Sequence, residues 1–237
     1  KYIDATVNGG GHAQALAGRI GQNGKVLGID WDCGVLDALK DKNRKLKIEN
    51  IQTACGNYAN IKDIAEEHDF LKVNGILFDL GFSSYHIEQS GRGFSFLRNE
   101  PLDMRYHNAA DKTYPSAADM INGLSEAELE KIIKEYGEER YAERIAEGIV
   151  KERKHKRIER TGELVEIIKK SIPARYQRGK IHFATRTFQA FRIAVNHELE
   201  NLTQALHDSL PLLVTRGKIA ILSFSLSVQL SRIFCSI

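Results

Sequence analysis

Gly9-Gly10-Gly11-His12 and Asp30 are the residues whose types and spacing point to chemistry. The glycines follow a β-prone run, Tyr2-Ile3-Asp4-Ala5-Thr6-Val7. They open a helical pattern in which Ala13, Leu16, Ala17 and Ile20 share a face. A glycine turn between strand and helix lets a ligand approach the backbone closely and meet the free N–H groups of the first helical turn. Lys25-Val26-Leu27-Gly28-Ile29 reads as a second strand, and Asp30 ends it, about 20 residues after the turn. An acid in that position accepts hydrogen bonds from both hydroxyls of a ribose. Turn and acid together predict a nucleoside-cofactor site; the plainer alternative is an ordinary βαβ crossover with a glycine turn.

The glycine pattern narrows the cofactor. A dinucleotide fingerprint requires a small residue at its sixth position, and counting from Gly9 that position is Gln14. This argues against a nucleotide-dependent dehydrogenase. No lysine follows as in a phosphate-binding P-loop. The pattern suits S-adenosylmethionine, whose sulfonium and amino-acid tail need close backbone approach and a nearby carboxylate, which Asp4 can supply. Asp79 ends a later apolar strand and is expected to face the same crevice. His12 opens the helix and is expected to cap it or to meet the cofactor through its backbone. Tyr58 follows the third strand, where a ring can stack on adenine.

The elements that must position these residues alternate. Strands are expected at 51–55 and 74–81, with one helix after Asp32 marked by Val35, Leu36, Leu39 and Leu46 and another over 61–68, and the 74–81 run is almost wholly apolar, as in a parallel sheet buried on both faces. The fold class is therefore α/β, a doubly wound Rossmann-like sheet. Residues 81–114 are irregular, and from 115 to 173 the β pattern vanishes. Pro115 is expected in a first helical turn. Ser125-Glu126-Ala127-Glu128 is a capping box for a helix through Tyr136. Further helices are expected at 138–154 and 163–172, then one long helix at 185–210 and a fifth strand at 217–224. The implied domains are a discontinuous core, 1–104 and 184–237, interrupted by an all-helical insert, 105–183.

The chain has 237 residues, 42% hydrophobic and 27% charged, with a net charge of +3. That charge neither demands nor excludes nucleic acid. Local clusters are more informative: Lys151, Arg153, Lys154, Lys156 and Arg157 form one, and Arg175, Tyr176, Arg178 and Lys180 another. These suit phosphate contact, with Tyr176 available to stack on a base. Cys33, Cys55 and Cys235 show no metal spacing and are expected to be reduced, mostly buried thiols. No metal site and no membrane span are expected. The chain opens inside a strand with Lys1 and is expected to be a fragment. No cysteine lies in a Pro-Cys setting suited to carbon-5 methylation, so a methylated base would take the group on an exocyclic amine.

Longer motifs are more specific. Gly9-Gly10-Gly11-His12, Asp30-Trp31-Asp32, Asp79-Leu80-Gly81-Phe82-Ser83-Ser84, Arg92-Gly93-Phe94-Ser95-Phe96 and Pro101-Leu102-Asp103-Met104-Arg105 occur in order. Tyr136-Gly137-Glu138-Glu139-Arg140, the run from Ala184 to Ile193 and Val195-Asn196-His197-Glu198-Leu199 follow. Up to about Phe224 this set resembles the bacterial 16S rRNA cytosine-N4-methyltransferase family (RsmH, also called MraW). The resemblance implies a cytoplasmic, S-adenosylmethionine-dependent enzyme that methylates N4 of a cytidine in 16S rRNA, acting on the RNA or the assembled 30S subunit, as a monomer or homodimer. It puts cofactor contacts on Gly10, Gly11, His12, Asp30, Tyr58, Asp79 and His86. Tyr58 stands where the family has Phe, and His86 where it has Gln. Asp79, with Ser83 and Ser84, is expected to orient the cytosine amine. After Ser223-Phe224 the chain departs from the family, which implies a frameshift or a truncated gene lacking the final strands. The alternative reading is a catalytically impaired RNA-binding relative.

Overall fold

The computed structural model describes residues 1–21, 23–81, 84–88, 90–107 and 113–223, with only the backbone of Ser84. The elements in chain order are β1 (Tyr2–Asp4), α1 (Gly11–Arg19), β2 (Val26–Asp30), α2 (Cys33–Leu46), β3 (Ile51–Cys55), α3 (Ile61–Glu67) and β4 (Val73–Leu80). There follow α4 (Ser84–Glu88), α5 (Ala117–Gly123), α6 (Glu126–Gly137), α7 (Ala142–Arg153), α8 (Thr161–Ser171), α9 (Thr185–Val195), α10 (Glu198–Ser209) and β5 (Leu213–Ser223). They form two compact units. One comprises Lys1–Ser83 and the return from Leu199 onward; the other is Ser84–Glu198.

In the first unit the described strands make one parallel sheet, ordered β3-β2-β1-β4-β5. Alternation along each strand sends side chains to opposite faces. Val26 packs with Ala13, Ala17, Leu36 and Leu39 of α1 and α2. Leu27 and Ile29 join Ile76, Phe78 and Leu80 on the other face, under Ile61 and Ala65 of α3 and Leu202, Ala205 and Leu206 of α10. Helices on both faces make the sheet doubly wound, as the sequence predicts. The strand order reverses between β1 and β4, where ligands bind in such sheets.

The second unit is helical. Its core joins Ile121, Leu129, Ile133, Ile145, Ile149, Leu164 and Ile168 to Leu102 and Met104 of the preceding loop and to Phe188, Phe191 and Val195 of α9. The unit therefore begins at Ser84 and ends at Glu198 instead of spanning 105–183. The loop supplies core residues and an isolated bridge, Pro101 to Arg160. A Cβ on Gly137 would lie 2.5 Å from the Arg186 carbonyl, so only glycine lets the end of α6 approach α9. Two buried arginines are closed in pairs. Arg105 donates to both oxygens of Asp103 (2.8 and 2.7 Å), and Arg192 to both oxygens of Glu198 (2.7 and 3.0 Å).

Three helix expectations change. The run 185–210 is two helices, broken at Asn196 and His197, where His197 has φ +49°. Asn196 turns its side chain to the loop instead, accepting from Tyr106 N–H (2.8 Å) and donating to the Met104 carbonyl (2.8 Å). Pro115 precedes the helix it was expected to open, since Ser116 is the cap and forms a capping box with Asp119. Glu138 does not start a helix but ends α6 in the left-handed region. The Ser125–Glu128 capping box is present as expected. The divergent residues from Phe224 onward lie outside the described residues.

Candidate active site

Strand register sets the site's charge. Asp4 pairs with Gly28 on one side and Leu77 on the other. Asp30 and Asp79 each lie two residues further along the flanking strands, so all three carboxylates share one sheet face at the carboxyl ends. Asp4 is fully buried, with one oxygen accepting from Thr6 N–H at 3.3 Å and Oδ2 without a hydrogen-bond partner. Burial pushes its pKa up to about 6. The Thr6 N–H and His12 oppose that rise, and Asp79 and Asp30 add to it. Thr6 also links two strand ends, its hydroxyl oxygen accepting from Asp79 N–H at 2.7 Å.

The glycine turn crosses the same face. Gly10 caps α1 with φ +80°, and a Cβ there would lie 2.2 Å from Leu39 Cδ1, so backbone conformation and packing both require glycine. A Cβ on Gly11 would meet nothing within 4 Å, which leaves open space before the helix. No side chain caps α1 and no acid lies in its first turn, so its first N–H groups are available to an anion. His12 Nε2 lies 3.3 Å from Asp79 Oδ2, which ties the start of α1 to the end of β4.

Asp30 is nearly buried and accepts from Asn8 N–H (2.8 Å) through Oδ2 and from Asp32 N–H (2.9 Å) through Oδ1. Tyr58 opens a short 3-10 turn whose cap, Asn57, accepts from Ala59 N–H at 2.9 Å. Its ring meets Phe78 edge-on at 5.9 Å. Open space at Gly11, uncapped N–H groups, a strand-end acid and a buried carboxylate lacking a partner fit a nucleoside ligand with a charged amino-acid tail. A cavity of about 550 Å³ lies further back on this face, lined by Leu16, Arg19, Leu77, Lys218 and Ala220. Of the predicted site residues it includes only His12.

The remaining sequence expectations fall as follows. Cys33 and Cys55 are exposed and joined as a disulfide, not buried free thiols, because β2–β3 pairing brings their Cα atoms to 5.3 Å. Cys235 and Ser83 lie outside the described residues. His86 belongs to the second unit, 3% exposed, with Phe94 and Tyr106 rings each 5.0 Å away. It is a buried histidine of that unit.

Of the basic residues, Arg153 donates to the Ile121 carbonyl, Lys156 pairs with Glu163, and Arg157 pairs with Asp119 and Glu159. Tyr176 packs against Tyr141 and donates to Glu139 at 3.3 Å, and burial and then that carboxylate raise its pKa. Lys151, Lys154, Arg175, Arg178 and Lys180 are exposed. Beside the last two is a feature the sequence reading missed. His182 is exposed and stacks on Phe96 at 4.4 Å and on Phe183 at 4.3 Å, next to Ile181, which is 60% exposed. Partial burial lowers the His182 pKa, which favours the neutral ring. The signal was the Ile-His-Phe run after Lys180, but its partner Phe96 is remote in sequence.

The MraW methylase family model matches residues 1–233. Ribosomal RNA small subunit methyltransferase H of Clostridium botulinum (strain Kyoto / Type A2) is 44% identical over 223 residues, covering 94% of this chain and 70% of the relative. The protein of the same name from the Okra / Type B1 strain is 45% identical over the same coverage. Among solved structures, an rRNA methylase from Streptococcus thermophilus overlaps 34% of this chain and 44% of its own, at 23% identity and a TM-score of 0.29.

Proposed function

The chain belongs to the MraW methylase family, and from that premise we propose that it transfers a methyl group from S-adenosylmethionine to the exocyclic N4 amine of a cytidine in 16S rRNA. The observation that carries the reading is the set of three carboxylates on one sheet face beneath an uncapped glycine-turn helix. The N–H groups of Gly11 and His12 hold the carboxylate of the amino-acid tail, with Gly10 giving the turn. Asp30 holds the ribose and Tyr58 the adenine. Asp4 and Asp79 set a negative field for the cationic end. When bound, S-adenosylmethionine supplies an electrophilic methyl group on a sulfonium.

The remaining work falls to this chain's residues. Asp79 accepts a hydrogen bond from the target amine and so orients its nitrogen, and His12 holds the carboxylate in place. Lys151, Lys154, Arg175, Arg178 and Lys180 neutralise RNA phosphates, and the His182–Phe96 stack offers a base platform. A ribosomal substrate, as free rRNA or assembled 30S subunit, is consistent with a cytoplasmic location. Among the described residues no helix is long and apolar enough to cross a membrane.

The test is methyl transfer from labelled S-adenosylmethionine to 30S subunits lacking the modification, followed by nucleoside analysis. N4-methylcytidine is the expected product. Cofactor binding without transfer would leave the impaired RNA-binding relative as the better reading. Label on another base would overturn the assignment of the acceptor.

A further inference from the structure

Cys33 is the first residue of α2 and Cys55 the last of β3, 22 positions apart in sequence and bonded to each other. They flank Asp30. Its side chain accepts from Asp32 N–H, immediately before Cys33, and its carbonyl accepts from Gly56 N–H (2.9 Å), immediately after Cys55. The bridge thus clamps together the two segments that Asp30 itself holds. One leads into α2; the other leads through Asn57 to Tyr58.

We propose that Cys33 and Cys55 form an oxidisable dithiol whose bridge tightens the adjoining nucleoside subsite. The inference rests on the cofactor reading above. An enzyme acting on ribosomal RNA works where thiols are kept reduced, and disulfides found in such compartments are usually transient. Both cysteines are exposed, so reductant and oxidant can reach them. The oxidant is a low-molecular-weight disulfide. The Cys33 thiolate attacks one sulfur and releases one small thiol. The Cys55 thiolate then attacks the Cys33 mixed disulfide and releases the second. Two protein thiols lose two protons and two electrons, and the small disulfide becomes two thiols.

The bridge favours binding because it fixes the segments carrying Asp30 and Tyr58 before the ligand arrives. Preorganisation of this kind strengthens binding by reducing the ordering cost. The test uses the Cys235→Ser chain, so that the third cysteine cannot exchange. Separate samples are treated with dithiothreitol and with oxidised glutathione, the bridge is verified by alkylation and mass, and each is titrated calorimetrically with S-adenosylhomocysteine. The oxidised form is expected to bind about tenfold more tightly, a coupling of ordinary size. Cys33→Ser and Cys55→Ser, each in the same background, should hold the weaker affinity under both treatments. Equal affinity of the two forms, or failure of glutathione to form the bridge, overturns the proposal. A bridge that forms while neither state binds the probe overturns the cofactor reading, and this inference with it.

Discussion

Two buried ion pairs of the helical unit contrast with a buried carboxylate of the sheet unit. In the helical unit, Arg105 meets Asp103 and Arg192 meets Glu198, each through two hydrogen bonds. In the sheet unit, Asp4 is fully buried with two more carboxylates on the same face, and one of its oxygens lacks a partner. One closed pair lies within the loop and the other spans the break between α9 and α10. An open cluster of like charge stores a cost that a cationic ligand can relieve. The difference separates motif residues that build from those that bind, although both kinds lie within the family motifs.

Opening a closed pair should have the largest effect. Arg192→Met leaves Glu198 buried without its cation, and breaking such a pair costs about 3–5 kcal/mol. Urea denaturation of the intact chain reads this directly. Arg192→Met with Glu198→Leu should recover most of the loss, with the Tyr106 hydroxyl, which donates to Glu198 at 3.1 Å, losing its acceptor. A double variant no more stable than the single one would break the comparison, because the pair would then be irreplaceable rather than merely closed.

Asp4 should behave the other way. Its native pKa of about 6 lies above the ordinary 3.8, so the native state holds the proton more tightly than the unfolded chain. Its contribution is most favourable below pH 4, where both states are protonated. It declines as pH rises from about 4 to 6, and above that the ionised group destabilises the fold by about 3 kcal/mol. Asp4→Asn should therefore be more stable than the parent at pH 7.5, with the difference vanishing near pH 3.5. Denaturation midpoints across that range give the difference curve, and a flat one would refute the open-cluster account.

How far all this was legible in the sequence differs between the units. Strand–turn–helix periodicity and an acid at a strand end are local signals, and they pointed Asp79 to the crevice of the glycine turn. The unit boundaries were not legible, because Leu102 and Met104 join a core through contacts with residues tens of positions away. The break at Asn196 depends on carbonyls and N–H groups of the 104–106 loop, which no helical pattern reveals. Cys33 and Cys55 looked unpaired because their proximity comes from β2–β3 register. Basic residues read as RNA contacts divided into paired and open ones only once Asp119, Glu159 and Glu163 were placed beside them.

Asp79 sharpens the contrast within the sheet unit. Its side chain is 29% exposed and its N–H is fixed by Thr6, so Asp79→Asn keeps the fold's contacts. Turnover should fall about a hundredfold if the carboxylate orients the amine, while S-adenosylhomocysteine affinity changes only a few-fold. Equal losses in both would make Asp79 a cofactor residue alone.

The smallest effects should distinguish open from closed charges on the helical unit's surface. Arg157 is held by Asp119 at 2.7 Å and Glu159 at 3.6 Å, and Arg178 is exposed. Arg178→Ala should weaken RNA binding and reduce the slope of log affinity against log salt by about 0.7–0.9, the value of one phosphate contact. Arg157→Ala should leave that slope unchanged, because its charge is already neutralised by two carboxylates. A salt titration of binding to a 16S rRNA fragment measures both. Equal slopes for the two variants would mean that RNA displaces the Arg157 partners, and that a closed pair on an exposed surface, unlike one in the core, is no guide to function.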